Sequence, residues 1–323
     1  MTPREIIKAV LTFGAPPRVG LALPPPYPND LVTAGRASGR ADLPPVGSEI
    51  RRWRDEWGSV WATLTGYDKG EVVAPAIADW SQLAAYRPPD LGRAEDYAAA
   101  AQRFAASDRF RIGMLPGFVF NVARYIRRLE NYLCDLLLER GSIDRLHELV
   151  RGELLKAIGR LADAGADAVM FPEDWGTQDR LMIDPAMWRG LFAPQFRTLT
   201  AAAHSRGLFV IMHSCGKITA IIEDLIECGI DCLQFDQPRL HGIDTLAQFA
   251  GRVSFWCPVD IQTTLQTRDG DLIAAEAREL VTRLGAKGGG FIAGYYSSNQ
   301  AIGLPPEVQD IACRAFVKQA MYR

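Results

Sequence analysis

The sequence predicts an α/β fold, a (β/α)8 barrel of the TIM type, and three observations predict it. About eight short apolar runs of strand length succeed one another, the first at Val19–Leu23 and the last at 289–296. Longer amphipathic segments separate them, the pattern of βαβ units and parallel strands. No GxGxxG follows the first run and no P-loop is present, so an open dinucleotide-binding sheet lacks its fingerprint. With 323 residues, 48% of them hydrophobic, the chain can bury a barrel core without disulfides or a structural metal.

The elements follow in order. Residues 3–12 read as a helix, with Thr2 as its cap and Pro3 in its first turn. Val19–Leu23 is the first strand. The stretch 24–50 is rich in Pro, Gly and Ala and reads as a long irregular surface loop. Trp53, Trp57 and Trp61 recur at helix-like spacing, which suits a core stripe or a homodimer face better than a cofactor box. Residues 71–77 read as the second strand. A helix at 96–106, a strand at 111–118 and amphipathic helices at 123–140 and 143–165 follow, the last ended by Gly165. Strands at 166–174, 208–216, 230–238, 252–260 and 289–296 alternate with helices at 185–207, 217–229, 244–250 and 271–284.

Composition excludes several classes. The net charge is −2 and no Lys/Arg run forms a patch, so nucleic acid is not an expected partner. Six scattered cysteines point to a reduced, cytoplasmic protein rather than a disulfide framework. The opening MTPREIIKAV lacks the apolar core of a signal peptide, and no run reaches the length of a membrane span.

In a barrel the chemistry lies at the C-terminal ends of the strands. Those ends read PEDWGTQ at 172–178, HSCG at 213–216, FDQP at 235–238, WCPVDIQ at 256–262 and GYYSSNQ at 294–300. Five consecutive strands thus bring reactive residue types to one rim. Asp174, Asp236 and Asp260 are the candidate acid–base groups, although each could instead cap the helix that follows. Glu173, Trp175, Gln178, Gln262 and Tyr295 are the candidate substrate contacts, with Tyr296 beside them. His213 and Cys215 are separated by one residue, so an extended segment points both the same way, and imidazole with thiolate is a zinc donor set. A catalytic zinc needs a third protein ligand. Cys257 is one candidate, and Asp236 and Glu173 are others. His241 remains an outside candidate. His147, His204, Cys134, Cys228, Cys232 and Cys313 read as structural or surface residues.

The segment from PEDWGTQDRLMIDPAMWRGLF through VIMHSCGKI, with DLIECGIDCLQFDQP, FWCPVDIQ and GGGFIAG, resembles the uroporphyrinogen decarboxylase superfamily. The opening TPREIIKAVLTFGAPPRVG is similar to that family's start as well. The resemblance implies one barrel domain over 1–323, with 1–70 as an N-terminal cover and loop and 71–323 as most of the barrel. The family's decarboxylases carry an arginine-rich motif after the first strand, where this chain reads LALPPPYPND, so authentic uroporphyrinogen decarboxylase is not expected. The family's thiol methyltransferases hold zinc by His-x-Cys after strand five, matched by His213 and Cys215. Their further Cys after strand eight is missing from AGYYSSNQAIG. The resemblance therefore implies a zinc-dependent methyltransferase or demethylase. It would act on a thiol or small methylated substrate, with a corrinoid on a partner protein as methyl carrier. The alternative is a metal-independent decarboxylase or lyase of a small carboxylic acid. A non-catalytic binding barrel is the third reading, and the reactive groups at five strand ends argue against it.

Overall fold

The computed structural model describes residues 1–37, 39–46, 50–63, 70–285 and 288–321. The first strands are β1 (Gly20–Leu21) and β2 (Leu31–Gly35). Then β3 (Ala41–Val46), β4 (Ile50–Arg54), β5 (Val60–Thr63) and β6 (Glu71–Ala74) form a separate antiparallel sheet in that order. The series ends with β7 (Phe110–Met114), β8 (Ala168–Pro172), β9 (Phe209–His213), β10 (Cys232–Gln234), β11 (Ser254–Cys257) and β12 (Phe291–Ala293).

Eight of these strands make one sheet of order β1-β12-β11-β10-β9-β8-β7-β2, in which every neighbouring pair is parallel. The expected number is right, but the second member is Leu31–Gly35, not 71–77. Leu31–Gly35 lies inside the stretch expected to be irregular; only its first two residues are buried, so its apolar signal is faint. The strand at 71–74 belongs instead to the antiparallel sheet, inserted between β2 and β7, and two strands of the large sheet precede residue 71.

The large sheet curls like a TIM barrel, but no ladder joins its edges, β1 and β2. The groups that would pair there are taken by the connecting loop. The Asp30 carboxylate accepts the Leu21 N–H at 2.8 Å and pairs with Arg18 at 2.7 Å. The Asp30 N–H donates to the Leu21 carbonyl at 2.7 Å. With β1 only two residues long, nothing remains for a ladder.

Side-chain alternation divides the core in two. Ile112, Ala168, Ile211, Cys232 and Ile292 fill the interior together with Ile6, Ile7, Val10 and Leu11 of the helix Pro3–Leu11. That helix plugs the N-terminal end of the sheet. Thr2 and Glu5 form its capping box, and Arg4 and Lys8 pair with Asp167 at 2.6 and 3.1 Å. Each isoleucine so buried contributes about 1.5–3 kcal/mol. The outward faces pack against the surrounding helices in a larger cluster.

Two local expectations change. The tryptophans do not lie on a helix. Trp53 on β4 and Trp61 on β5 are cross-strand partners stacked at 6.0 Å, and Trp57 is buried in the turn between them, where Gly58 takes φ +94°. A spacing of four fits a short hairpin as well as a helix. The segment 123–140 is likewise two helices, Val119–Arg127 and Leu129–Leu138, broken where Arg128 takes φ +68°. Among the described residues no helix is long and apolar enough to cross a membrane.

Candidate metal centre

The register of β8, β9 and β10 sets the site. Pro172 pairs with His213, and His213 pairs with Gln234. Ile211 and Cys232 point into the interior, so His213 and Gln234, two residues on, occupy the next layer of the same interior. The same parity, carried past the strand ends, brings Asp174, Cys215 and Asp236 to the mouth.

Among the described residues, the donor atoms of Asp174, His213 and Cys215 all lie within 4.8 Å of one another. His213 Nε2 is 3.3 Å from Cys215 Sγ and 3.7 Å from Asp174 Oδ1. Donors on a tetrahedral zinc, with bonds of about 2.0–2.3 Å, stand about 3.3–3.8 Å apart. His213 stands at that spacing from both other donors, and one nitrogen, one sulfur and one oxygen suit zinc.

The imidazole is oriented from behind. Gln234 Nε2 donates to Asp236 Oδ1 at 2.8 Å, so Gln234 Oε1 faces His213 Nδ1, which is hydrogen-bonded to it. An amide oxygen only accepts, so Nδ1 carries a proton and Nε2 is the ring nitrogen turned toward Asp174 and Cys215. This orientation follows from the hydrogen-bond network.

Asp174 is fixed equally firmly. Its Oδ1 accepts the Cys215 N–H at 2.9 Å and its Oδ2 accepts from Arg124 at 3.2 Å. Arg124 lies 4.9 Å from the Tyr125 ring centre, and that ring meets Trp61 edge-on at 4.7 Å. The antiparallel sheet thus buttresses the arginine that holds Asp174. The loops after β8 and β9 meet glycine to glycine. A Cβ on Gly216, where φ is +74°, would lie 2.1 Å from the Gly176 carbonyl oxygen, and one on Gly176 would lie 2.4 Å from the Lys217 nitrogen. Only paired glycines allow Asp174 and Cys215 to come so close.

Burial, with Asp174 and Asp236 nearby, pushes the Cys215 thiol up to about 12. Burial also raises the Asp236 carboxyl, against the opposing pulls of His213 and Gln234. Both shifts are led by burial, which favours the neutral forms, and a dication bound at this mouth would instead favour the thiolate and carboxylate.

Other expected residues lie elsewhere. Glu173 points outward, fully buried, and accepts the N–H groups of Phe118, Phe120 and Asn121 at 2.9–3.1 Å. It caps the helix Val119–Arg127, and burial lifts its carboxyl to about 8 against those three donors. Trp175 is buried in an aromatic cluster, stacked on Phe120 at 3.9 Å and edge-on to Phe192 at 4.6 Å. Cys257 also faces outward into the helix-side core and is outside the donor group, so Asp174, not Cys257, completes the three.

Asp260 accepts four hydrogen bonds, from the Arg239, Gln262 and Thr263 N–H groups and the Thr263 hydroxyl. It organises its loop, as a cap does. Gln178 and Gln262 are exposed. Tyr295 lines a small cavity of about 270 Å³ with Pro24–Pro26, Tyr27 and Asp310, and its hydroxyl meets Asn299 at 2.5 Å. His241 is buried against Phe235 and held neutral by burial, down to about 4, and His147 is buried against Tyr132.

Two contributors were not singled out from the sequence: Gln234 and Arg124. Gln234 was findable, because it sits two residues after Cys232 on an inward-facing strand. Tyr296 shares the inward parity of Ile292 and Gly294, and the charges of Asp236 and Cys215 raise its phenol further after burial. Arg124 lies on a helix, where no strand pattern points to it.

Residues 65–321 match the model of the family described as uroporphyrinogen decarboxylase (URO-D). The chain belongs to the uroporphyrinogen decarboxylase family. Among solved structures, a methyltransferase from Methanosarcina mazei is similar in fold, with TM-score 0.62 and 14% identity over 82% of this chain and 75% of that one. An L-ribulose 3-epimerase gives TM-score 0.44 and 15% identity over 69% of this chain and 78% of that one. No curated protein matches the sequence. The family match spans β7 to β12, the strands that carry every residue of the donor group.

Proposed function

We propose that the mouth is a zinc centre held by Asp174, His213 and Cys215, and that this member of the uroporphyrinogen decarboxylase family is a methyltransferase or demethylase. One observation carries the reading: the Asp236–Gln234–His213 chain of hydrogen bonds turns His213 Nε2 toward a thiol and a carboxylate. An isolated histidine has no need of such orientation. When bound, zinc supplies Lewis acidity and activates a substrate thiol or hydroxyl at neutral pH. The protein's own residues do the rest. Asp174, fixed by Arg124, His213 and Cys215 bind the ion. Asp236 stands two residues beyond Gln234 as the carboxylate to receive the substrate proton, with the Tyr296 phenol facing it. The methyl carrier in this reading is a corrinoid on a partner protein. That step draws on the family resemblance and on the fold shared with a methyltransferase. The substrate is a thiol or a small methylated compound.

Elemental analysis of protein purified without a metal-binding tag tests the centre. About one zinc per chain is expected, lost in the His213→Ala/Cys215→Ser variant and weakened in Asp174→Asn. Folded protein that was never exposed to chelator and holds no metal would sink the reading. Carbon dioxide release from small carboxylic acids would then be the next assay.

A further inference from the structure

Lys217, two residues beyond Cys215, lines a cleft of about 750 Å³ on the outer side of the Gly176–Gly216 contact. Leu181, Met182 and Ile183 form an apolar wall, half-buried and backed by the helix-side core. Lys217 lines the same cleft and is half-buried. Its backbone is pinned by a hydrogen bond from its N–H to the Thr177 carbonyl at 2.7 Å and by the paired glycines beside it. Its ammonium pairs with no carboxylate among the described residues. Both acids of the cleft are already engaged. Asp184 caps the helix Pro185–Leu191 through the Ala186 and Met187 N–H groups, and Asp179 accepts the Thr177 hydroxyl at 2.7 Å. Arg180 stands at the exposed edge, 3.8 Å from Asp179, whose carboxylate also feels the charge of Lys217. A half-buried cation with no carboxylate in direct contact, next to an apolar wall, is complementary to an amphiphilic anion.

We propose that this cleft binds a small oxyanion on an apolar body. Its carboxylate or comparable group lies on Lys217, its body lies along Leu181–Ile183, and its reacting end points toward Cys215. The direction of the reacting end rests on the zinc-centre reading; the preference for an anion does not. Substrates of this class carry a negative charge remote from the reacting atom, so binding energy at Lys217 positions the chemistry without taking part in it.

Calorimetric titration of the full chain with 4-phenylbutanoate and with its neutral amide tests the cleft. The acid is expected to bind about tenfold more tightly than the amide, the scale of one charge-assisted contact. Lys217→Met should bring the two affinities together, and Lys217→Arg should keep the preference. The His213→Ala/Cys215→Ser variant should keep it as well. Equal binding of acid and amide by the unmodified protein, or binding of neither, overturns the proposal whatever the metal content. So does a Lys217→Met protein that retains the preference. A preference lost only with the metal ligands places the anion on the metal and also overturns the cleft. Absence of metal with the preference intact sinks the zinc centre and leaves the cleft standing.

Discussion

The two halves of the sheet's mouth carry similar residues and use them differently. On the β8–β10 side, Asp174, His213 and Cys215 converge, and Asp236 holds the amide that orients His213. On the β11–β12 side, Asp260 has its acceptors filled by its own loop and by the Arg239 N–H, Cys257 faces the helices, and Tyr295 turns to the proline-rich loop. Residue type does not separate the halves. Parity along the strand and the presence of unfilled acceptor positions do.

The sharpest way to break that comparison is Asp260→Ala. It removes a buried carboxylate and leaves three part-buried backbone N–H groups without their acceptor, and is expected to cost about 3 kcal/mol. Thermal melting should show that loss, while zinc per folded chain stays at the wild-type level. An Asp260→Ala protein that is stable but metal-free would erase the distinction between the halves. Gly216→Ala should come next, at about 2–3 kcal/mol, from a forced contact at positive φ. Because it parts the two loops, it should lower both melting temperature and zinc affinity.

Gln234→Leu should leave the melting temperature within a few degrees but weaken zinc about 10–100-fold, the usual cost of losing an orienting partner. Competition with a chromophoric chelator reads it, and unchanged affinity would remove Gln234 from the site. The smallest effect concerns His204 and Asp231, a pair 2.9 Å apart that also ties the start of β9, since Asp231 accepts the Val210 N–H. The Asp231 hydrogen bond raises the His204 pKa above its usual 6.5. The stabilisation is therefore complete below that value and is lost as pH rises through the folded-state pKa. The pair is partly exposed, so the change should stay under about 1 kcal/mol. Melting curves from pH 5.5 to 8.5, compared with His204→Gln, measure it.

Much of this was legible in the sequence, for physical reasons. Strands β7 to β12 have central positions and strong apolar runs, and Gly165, Gly207 and Gly229 end helices where the spacing places them. His213 and Cys215 announced themselves by lying one residue apart. The failures also have causes. Leu31–Gly35 is an edge strand with two buried residues, too weak to stand out in a Pro/Gly-rich stretch. The Trp53–Trp61 hairpin imitates helical spacing. Cys257, Glu173 and Trp175 were grouped with the site by nearness to a strand end, whereas the period of two sends each to the outer face. Asp174 was read as an acid–base group, and its closeness to Cys215 depends on the Gly176–Gly216 contact, which joins distant segments and leaves no local pattern.

The unjoined edges β1 and β2 have a mechanical consequence. A closed barrel is a hoop, in which a change of diameter strains every ladder at once. This sheet is a hoop with one cut, bridged by Asp30. The strands β9 and β10, central in the order, lie farthest from the cut and are laddered on both sides. The donor group thus hangs from the part of the ring where every strand is held by two neighbours, whereas the cut itself is closed by one residue, Asp30.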